Sequence, residues 1–250
     1  MTLDPQGTVI ALFLAFCRIG GCMMILPGFS SARMPMQIRL FISVALSIAI
    51  LPLVWDVLYS KSASDPLTLA KLIISESMIG IMFGMIARFY VIGLQFAGST
   101  LSTAISFTGP AGQDILEDTS ENQLTNLLTF AGLMILFILD FHHVVFKAVA
   151  ESYTTMPVGE IVNSQKMLIT LTNTLSASFM IVLRLVSPFL VFGLLFNVAV
   201  GMINKLAPQI PVYFISTPYA LMGGLFLLYL GIGAMLRQFA DGFITVFGSF

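Results

Sequence analysis

Phe107-Thr-Gly-Pro-Ala-Gly-Gln-Asp-Ile-Leu-Glu-Asp-Thr-Ser-Glu-Asn-Gln123 is the one long polar interruption between two strongly apolar halves of this chain. Four of the twelve acidic residues fall in it, at Asp114, Glu117, Asp118 and Glu121, and no Lys or Arg accompanies them. Gly109-Pro110 and Gly112 break whatever helix leads in, because proline has no N–H and glycine is conformationally free. A new helix is expected to start with Thr119 or Ser120 as its cap. The stretch therefore reads as a re-entrant or surface loop between two membrane-type helices.

Working outward, the flanking sequence is too apolar for a soluble domain. Of 250 residues, 58% are apolar and 9% charged, against about 25% charged in an ordinary soluble domain. The chain is an integral membrane protein. A net charge of -1 supplies no basic footprint for nucleic acid. Cys17 and Cys22 lie five apart on one apolar helix, about 140° around it, a spacing that suits neither a disulfide nor a metal pair. They read as inert buried thiols. Met1–Gln6 holds Asp4 and no basic residue, unlike the start of a signal peptide, so the first helix is expected in the mature protein.

The apolar segments follow in order. Val9–Leu26 is just long enough to span about 30 Å of hydrocarbon, and Arg18 near its middle requires a partner, because an unpaired arginine there costs about 2.5–3.5 kcal/mol. Pro27–Pro35 is a turn-rich connector. Gln37–Leu58 is the second helix, opening with Arg39 and carrying Pro52. Leu67 to Phe107 runs about 40 residues without a turn cluster; as one helix it would be about 60 Å long, twice the hydrocarbon thickness. Lys71, Glu76 and Arg88 punctuate it, as does Gly80-Ile-Met-Phe-Gly84, a spacing that permits close helix contact. Leu124–Ala150 is expected as one further helix with Asp140, His142 and His143 near its end. Asp140 and His143 can pair across three residues, whereas adjacent histidines project about 100° apart and do not chelate one metal from one face. Met167–Asn204 is a second stretch near 40 residues, with Arg184, a kink at Pro188, and Asn197. Lys205–Pro211 is a sharp turn, and Thr217–Phe250 is the last helix. The flanking charges divide evenly, with Lys61, Lys147 and Lys166 on one side and Arg33, Arg39 and Lys205 on the other, so charge assigns no orientation.

Taken together, several segments resemble the FliR family of flagellar and type III secretion export-gate proteins. They are Arg18-Ile-Gly20 followed by Leu26-Pro27-Gly28-Phe29, Met34-Pro35 with Arg39 opening the next helix, and the Phe107–Pro110 break. The second half adds His142-His143 leading to Ser152 and Pro157, then Asn197-Val-Ala-Val-Gly201 with Pro208-Gln209-Ile210. The likeness covers nearly the whole chain. It departs at Gly109-Pro110, where many relatives carry an acidic residue before the proline.

The resemblance implies an all-α membrane protein of long kinked helices and helical hairpins, with a FliP-like first part (1–165) fused to a FliQ-like C-terminal hairpin (166–250). It implies a non-enzymatic, cofactor-free subunit in the bacterial inner membrane, at the flagellar basal body. Its partners would be FliP-like and FliQ-like subunits, an FlhB-like export switch touching the Lys205–Pro211 turn, and unfolded export substrates. The loop 107–123 would plug the pore, with Phe107, Thr108, Gly109, Pro110 and Gly112 filling it. Arg18, Arg39, Glu76, Arg88, Arg184, Asn197, Lys205, Pro208 and Gln209 are the candidate subunit contacts, and the charges among them at Arg18, Glu76, Arg88 and Arg184 are expected to lack partners within the chain.

Other classes compete with this reading. A virulence-type export gate would share the same features. A secondary transporter also uses broken helices and midplane polar groups, but such proteins usually show two comparable halves, and no clear internal repeat is present. An intramembrane hydrolase lacks support, since the sequence holds neither a GxSxG nor an HExxH motif.

Overall fold

The computed structural model describes residues 4–30, 34–61, 65–107, 111–113, 120–159 and 164–247. Seven helices dominate it: α1 (Pro5–Ile25), α2 (Met36–Tyr59), α3 (Pro66–Ala104), α4 (Gln123–Ile138), α5 (Phe141–Thr155), α6 (Ser164–Leu206) and α7 (Val212–Phe247). Five of them (α1, α2, α3, α6 and α7) are long and apolar enough to cross a membrane, and α4 with α5 would make a sixth, broken span. Two short strands, β1 (Ala111–Gln113) and β2 (Ser120–Asn122), pair antiparallel with Ala111 opposite Asn122 and Gln113 opposite Ser120. The stretch expected to be a re-entrant or surface loop thus contains a pair of antiparallel strands.

Helix ends explain most differences from the sequence reading. α1 starts at Pro5, four residues before the apolar run, because Asp4 caps it by accepting a hydrogen bond from the Gln6 N–H at 3.2 Å and proline suits the first helical position. α3 is one helix of 39 residues. It stops at Ala104, ahead of the glycine and proline expected to end it. Ser106 adopts φ 58°, the Phe107 N–H reaches the Ser102 carbonyl at 2.8 Å and the Ser106 N–H reaches that of Thr103 at 3.2 Å. This is a Schellman closure with serine in the left-handed position usually held by glycine. Ser120 lies in β2, and the cap of α4 is Asn122.

The expected helix over Leu124–Ala150 is broken at Leu139–Asp140. Asp140 takes φ 54°, a left-handed state that Asp tolerates better than most side chains, and its carbonyl starts α5 by accepting from the His143 N–H at 2.8 Å. α7 begins at Val212, five residues ahead of expectation, and carries Pro218 inside it. Prolines inside membrane helices are tolerated where the freed carbonyl finds another donor. α6 illustrates this: Pro188 cannot bond the Arg184 carbonyl, and the Ser187 hydroxyl donates to it at 3.0 Å.

The chain divides into two compact units, one of 1–90, 140–175 and 246–250, the other of 91–139 and 176–245. In the first, α1 packs on α2, and α5 on both. α1 also lies against the first part of α3 at backbone contact: a Cβ on Gly80 would run into the Arg18 carbonyl, and one on Gly84 would come within 2.7 Å of the Cys22 carbonyl. The contacts advance by four residues along both helices in the same direction, so α1 and α3 run parallel. The Gly80-x-x-x-Gly84 spacing is therefore a true helix interface. Cys17 and Cys22 are free and buried.

In the second unit the end of α3 is surrounded by α4, α6 and α7. Gly93 meets Val182, Ala97 clusters with Val182 and Val186, and Gly193 meets the Ala104 carbonyl. These positions rise together, so α3 and α6 are parallel there. Gly98 meets Thr125 while Leu94 meets Gly132, which makes α3 and α4 antiparallel. Gly223 on α7 faces Phe192 on α6, and residues 227–238 face 184–189. α6 and α7 thus form the long antiparallel hairpin expected from the Lys205–Pro211 turn.

Candidate functional site: the base of the central loop and a buried charge cluster

The central loop leaves α3 at Phe107 and enters α4 at Gln123, and Asn122 ties the two ends together. Its side-chain Nδ2 donates to the Phe107 carbonyl at 2.8 Å, and its Oδ1 accepts from the Leu124 N–H at 3.5 Å. One carboxamide thus both caps α4 and holds the end of α3. Below it, α3 cannot shift freely: a Cβ on Gly193 would stand 2.7 Å from the Ala104 carbonyl, and one on Gly224 would collide with Ile105. Phe107 is half-buried at this base. Gly112 lies in β1 opposite Glu121. Thr108, Gly109 and Pro110, like Asp114, Glu117, Asp118 and Thr119, fall outside the described residues.

The first unit contains a buried polar cluster centred on Arg18. Nε donates to Glu76 Oε2 at 2.6 Å and Nη2 to Oε1 at 2.9 Å, a bidentate pair with both side chains fully buried. Nη1 donates to the Ser152 hydroxyl at 2.8 Å and Nη2 also to the Met156 carbonyl at 3.2 Å. The guanidinium carbon stands 3.8 Å from the centre of the Tyr153 ring. The planar fork of arginine suits this arrangement, where a lysine would offer only a point charge. Arg18 thus has the partner its position demanded, but Arg18 and Glu76, expected to be unpaired and to face other chains, satisfy each other inside this one. Tyr153 and the Met156 carbonyl carry no signal in the sequence, and Ser152 stands out there only through the family likeness. The sequence does signal that Arg18 and Glu76 each need a partner, since both sit deep in an apolar run.

The remaining candidates scatter. Arg39 is half-buried and donates to the Met34 carbonyl at 3.4 Å and towards the Met24 sulfur at 3.9 Å. Arg88 is half-buried and holds an interaction within the chain, so it too departs from the expectation of an unpaired charge. Arg184, Asn197, Lys205, Pro208 and Gln209 are exposed. No hydrogen bond or ion pair joins the Arg184 side chain to another described residue. At the α4–α5 break, Asp140 Oδ1 lies 3.8 Å from His143 Nδ1 and 3.9 Å from His142 Nε2. Asp140 and His143 come within reach of each other as expected, and the two imidazoles approach to 4.3 Å between centres. Against the divergence expected of adjacent histidines, one ligand atom each of Asp140, His142 and His143 lies within 4.8 Å of the others.

Comparison with known proteins joins these observations to a family. The chain is similar to the flagellar biosynthetic protein FliR of Caulobacter vibrioides, with 28% identity over 233 residues covering 91% of this chain and 90% of that one. It is similar to the protein of that name from Aquifex aeolicus, at 24% over 255 residues (99% and 95%), and to that from Escherichia coli, at 24% over 207 residues (81% and 76%). The family model for bacterial export proteins, family 1, matches residues 9–246, a span that takes in the Arg18 cluster, the central loop and the C-terminal hairpin, and the chain belongs to this FliR family of export proteins.

Proposed function

We propose that this protein is a non-enzymatic subunit of the flagellar protein-export apparatus in the bacterial inner membrane, at the flagellar basal body. There it joins FliP-like and FliQ-like subunits around a channel for unfolded substrates, and its 107–123 loop plugs that channel. Residues 1–165 are the FliP-like part and 166–250 the FliQ-like hairpin, whose Lys205–Pro211 turn meets an FlhB-like export switch. The observation that carries this reading is a family match running through the loop and the hairpin alike. The flagellar name of the relatives favours a flagellar over a virulence-type system.

Two physical points support the plug. Unsatisfied backbone polar groups cost several kcal/mol each in hydrocarbon, so a stretch of this polarity lies in water or within protein. Its base is held by Asn122 and by the packing around Ala104 and Ile105, which suits an element that must hold position in a pore. Deleting Thr108–Gly112 should leave the assembly intact and let ions leak across the membrane. A deletion variant that assembles, stays ion-tight and exports normally would overturn the plug. A wild-type chain that purifies as a folded, monodisperse protein when expressed entirely alone would count against the subunit reading.

A further inference from the structure

Arg184 is a charge in an apolar helix that lines a groove, whereas Arg237, also exposed, lies on α7 beside the groove-lining Gln238. Arg184 lies one residue from the midpoint of α6, exposed, and without a side-chain partner among the described residues. No other charged residue lies between Lys166 and Lys205. At about 1.5 Å per residue the nearest charge on the same helix, Lys166, is about 27 Å away. An arginine set so far from both helix ends calls for a partner of opposite sign.

The surface beside it has the form of a receiving groove. Within the second unit, α6 and α7 enclose about 330 Å³ lined by Arg184, Pro188 and Phe189 on one side and Gly231, Ala234 and Gln238 on the other. Gly231 is informative. Gly193, Gly223 and Gly224 belong to the same hairpin, and a Cβ on any of them would strike Ala104, Phe192 or Ile105, whereas a Cβ on Gly231 or Gly233 would meet nothing within 4 Å, and of these two Gly231 lines the groove. The packing of this chain therefore does not require glycine at 231. A backbone approaching from outside would use that space, as small residues permit between membrane helices.

We infer that the Arg184 groove receives a membrane-spanning helix of another subunit that carries one Asp or Glu. The guanidinium would take the carboxylate bidentately, and the Gln238 carboxamide can donate to a remaining lone pair. Among the described residues no carboxylate lines the groove. The inference rests on the proposal that the chain works in a membrane assembly, and it adds the chemistry of one contact.

The test uses the full complex in cells deleted for the native gene. Arg184→Glu should reduce recovery of the assembly and export at least tenfold, Arg184→Lys should retain most of both, and Gln238→Leu should cause a smaller loss. Because Arg184 is exposed, each variant should accumulate in the membrane as the wild type does. Selection for restored motility in Arg184→Glu should return Asp or Glu changed to Lys or Arg in a membrane segment of a partner. Wild-type assembly and export in Arg184→Glu would overturn the inference, as would suppressors confined to other kinds of change. Native mass spectrometry gives an independent outcome: an anionic phospholipid held by the wild type and lost in Arg184→Gln, with subunit composition unchanged, would assign the groove to lipid and overturn it too. A wild-type chain that recovers no partner would instead defeat the assembly proposal itself.

Discussion

Arg18 and Glu76 meet inside one chain, with Nε 2.6 Å from Oε2 and Nη2 2.9 Å from Oε1, although 58 residues separate them. They lie where Gly80 lets α1 and α3 touch backbone to backbone. Parallel packing, the glycine contact and the ion pair thus specify one register: sliding α1 by a turn would bury two unpaired charges. Breaking a buried pair by removing one partner costs about 3–5 kcal/mol. Glu76→Gln and Arg18→Met should each lower the amount of folded protein extracted and its thermal transition. The double variant Arg18→Met/Glu76→Leu should recover much of the loss, since apolar replacement of a whole buried pair is often neutral. A double variant no better than the singles would mean that Ser152, Tyr153 and the Met156 carbonyl depend on the guanidinium itself.

The glycine contact can be tested separately. Gly80→Val places a branched side chain where even a Cβ collides with the Arg18 carbonyl, and overpacking of this kind costs about 1–3 kcal/mol or more. Gly231→Ala, with open space around it within this chain, should leave the amount of chain accumulated in the membrane unchanged. Protease resistance in detergent should separate the two, and equal sensitivity would contradict the α1–α3 interface.

These contrasts show what the sequence could reveal. The long helices were legible because apolar runs of this length have few alternatives, and so was the hairpin turn, since Pro208 and Pro211 exclude a helix there. The Arg18 requirement for a partner was legible from solvation cost alone. The identity of that partner was not, because it depends on which turn of α3 faces α1. Helix ends were misread where an ordinary residue took a glycine's place: Ser106 closes α3 in a left-handed conformation and Asp140 breaks α4 from α5, and neither carries a strong local signal. The β1–β2 pairing was equally hidden, as Ala-Gly-Gln and Ser-Glu-Asn have little strand preference.

Asn122 gives a prediction that separates stability from closure of the loop base. Asn122→Ala removes both of its hydrogen bonds, and loss of an N-cap costs about 0.5–2 kcal/mol. Asn122→Asp keeps the acceptor for the Leu124 N–H and adds a charge favourable at a helix N-terminus, yet an ionised carboxylate cannot donate to the Phe107 carbonyl. The alanine variant should therefore melt earlier and the aspartate variant close to wild type, while both loosen the tie between α3 and α4. If the loop plugs a channel, both should raise ion leakage. Leakage in the alanine variant alone would trace the effect to the helix cap.

The final prediction concerns the turn joining α6 and α7. Lys205, Pro208 and Gln209 are exposed, and beside them Leu206 is 84% exposed and Phe214 84%. Large apolar side chains presented around a turn need cover from lipid or from another protein, and the proposed contact to an export switch, placed on the cytoplasmic side, would supply it. A cysteine at Gln209 reports this directly, because the native Cys17 and Cys22 are buried and should contribute little background. A membrane-impermeant maleimide should label Gln209→Cys in inverted vesicles and not in intact spheroplasts. Labelling in inverted vesicles should fall several-fold when the complete assembly is present. Labelling in intact spheroplasts would reverse the orientation, and with it the proposed partner of the turn.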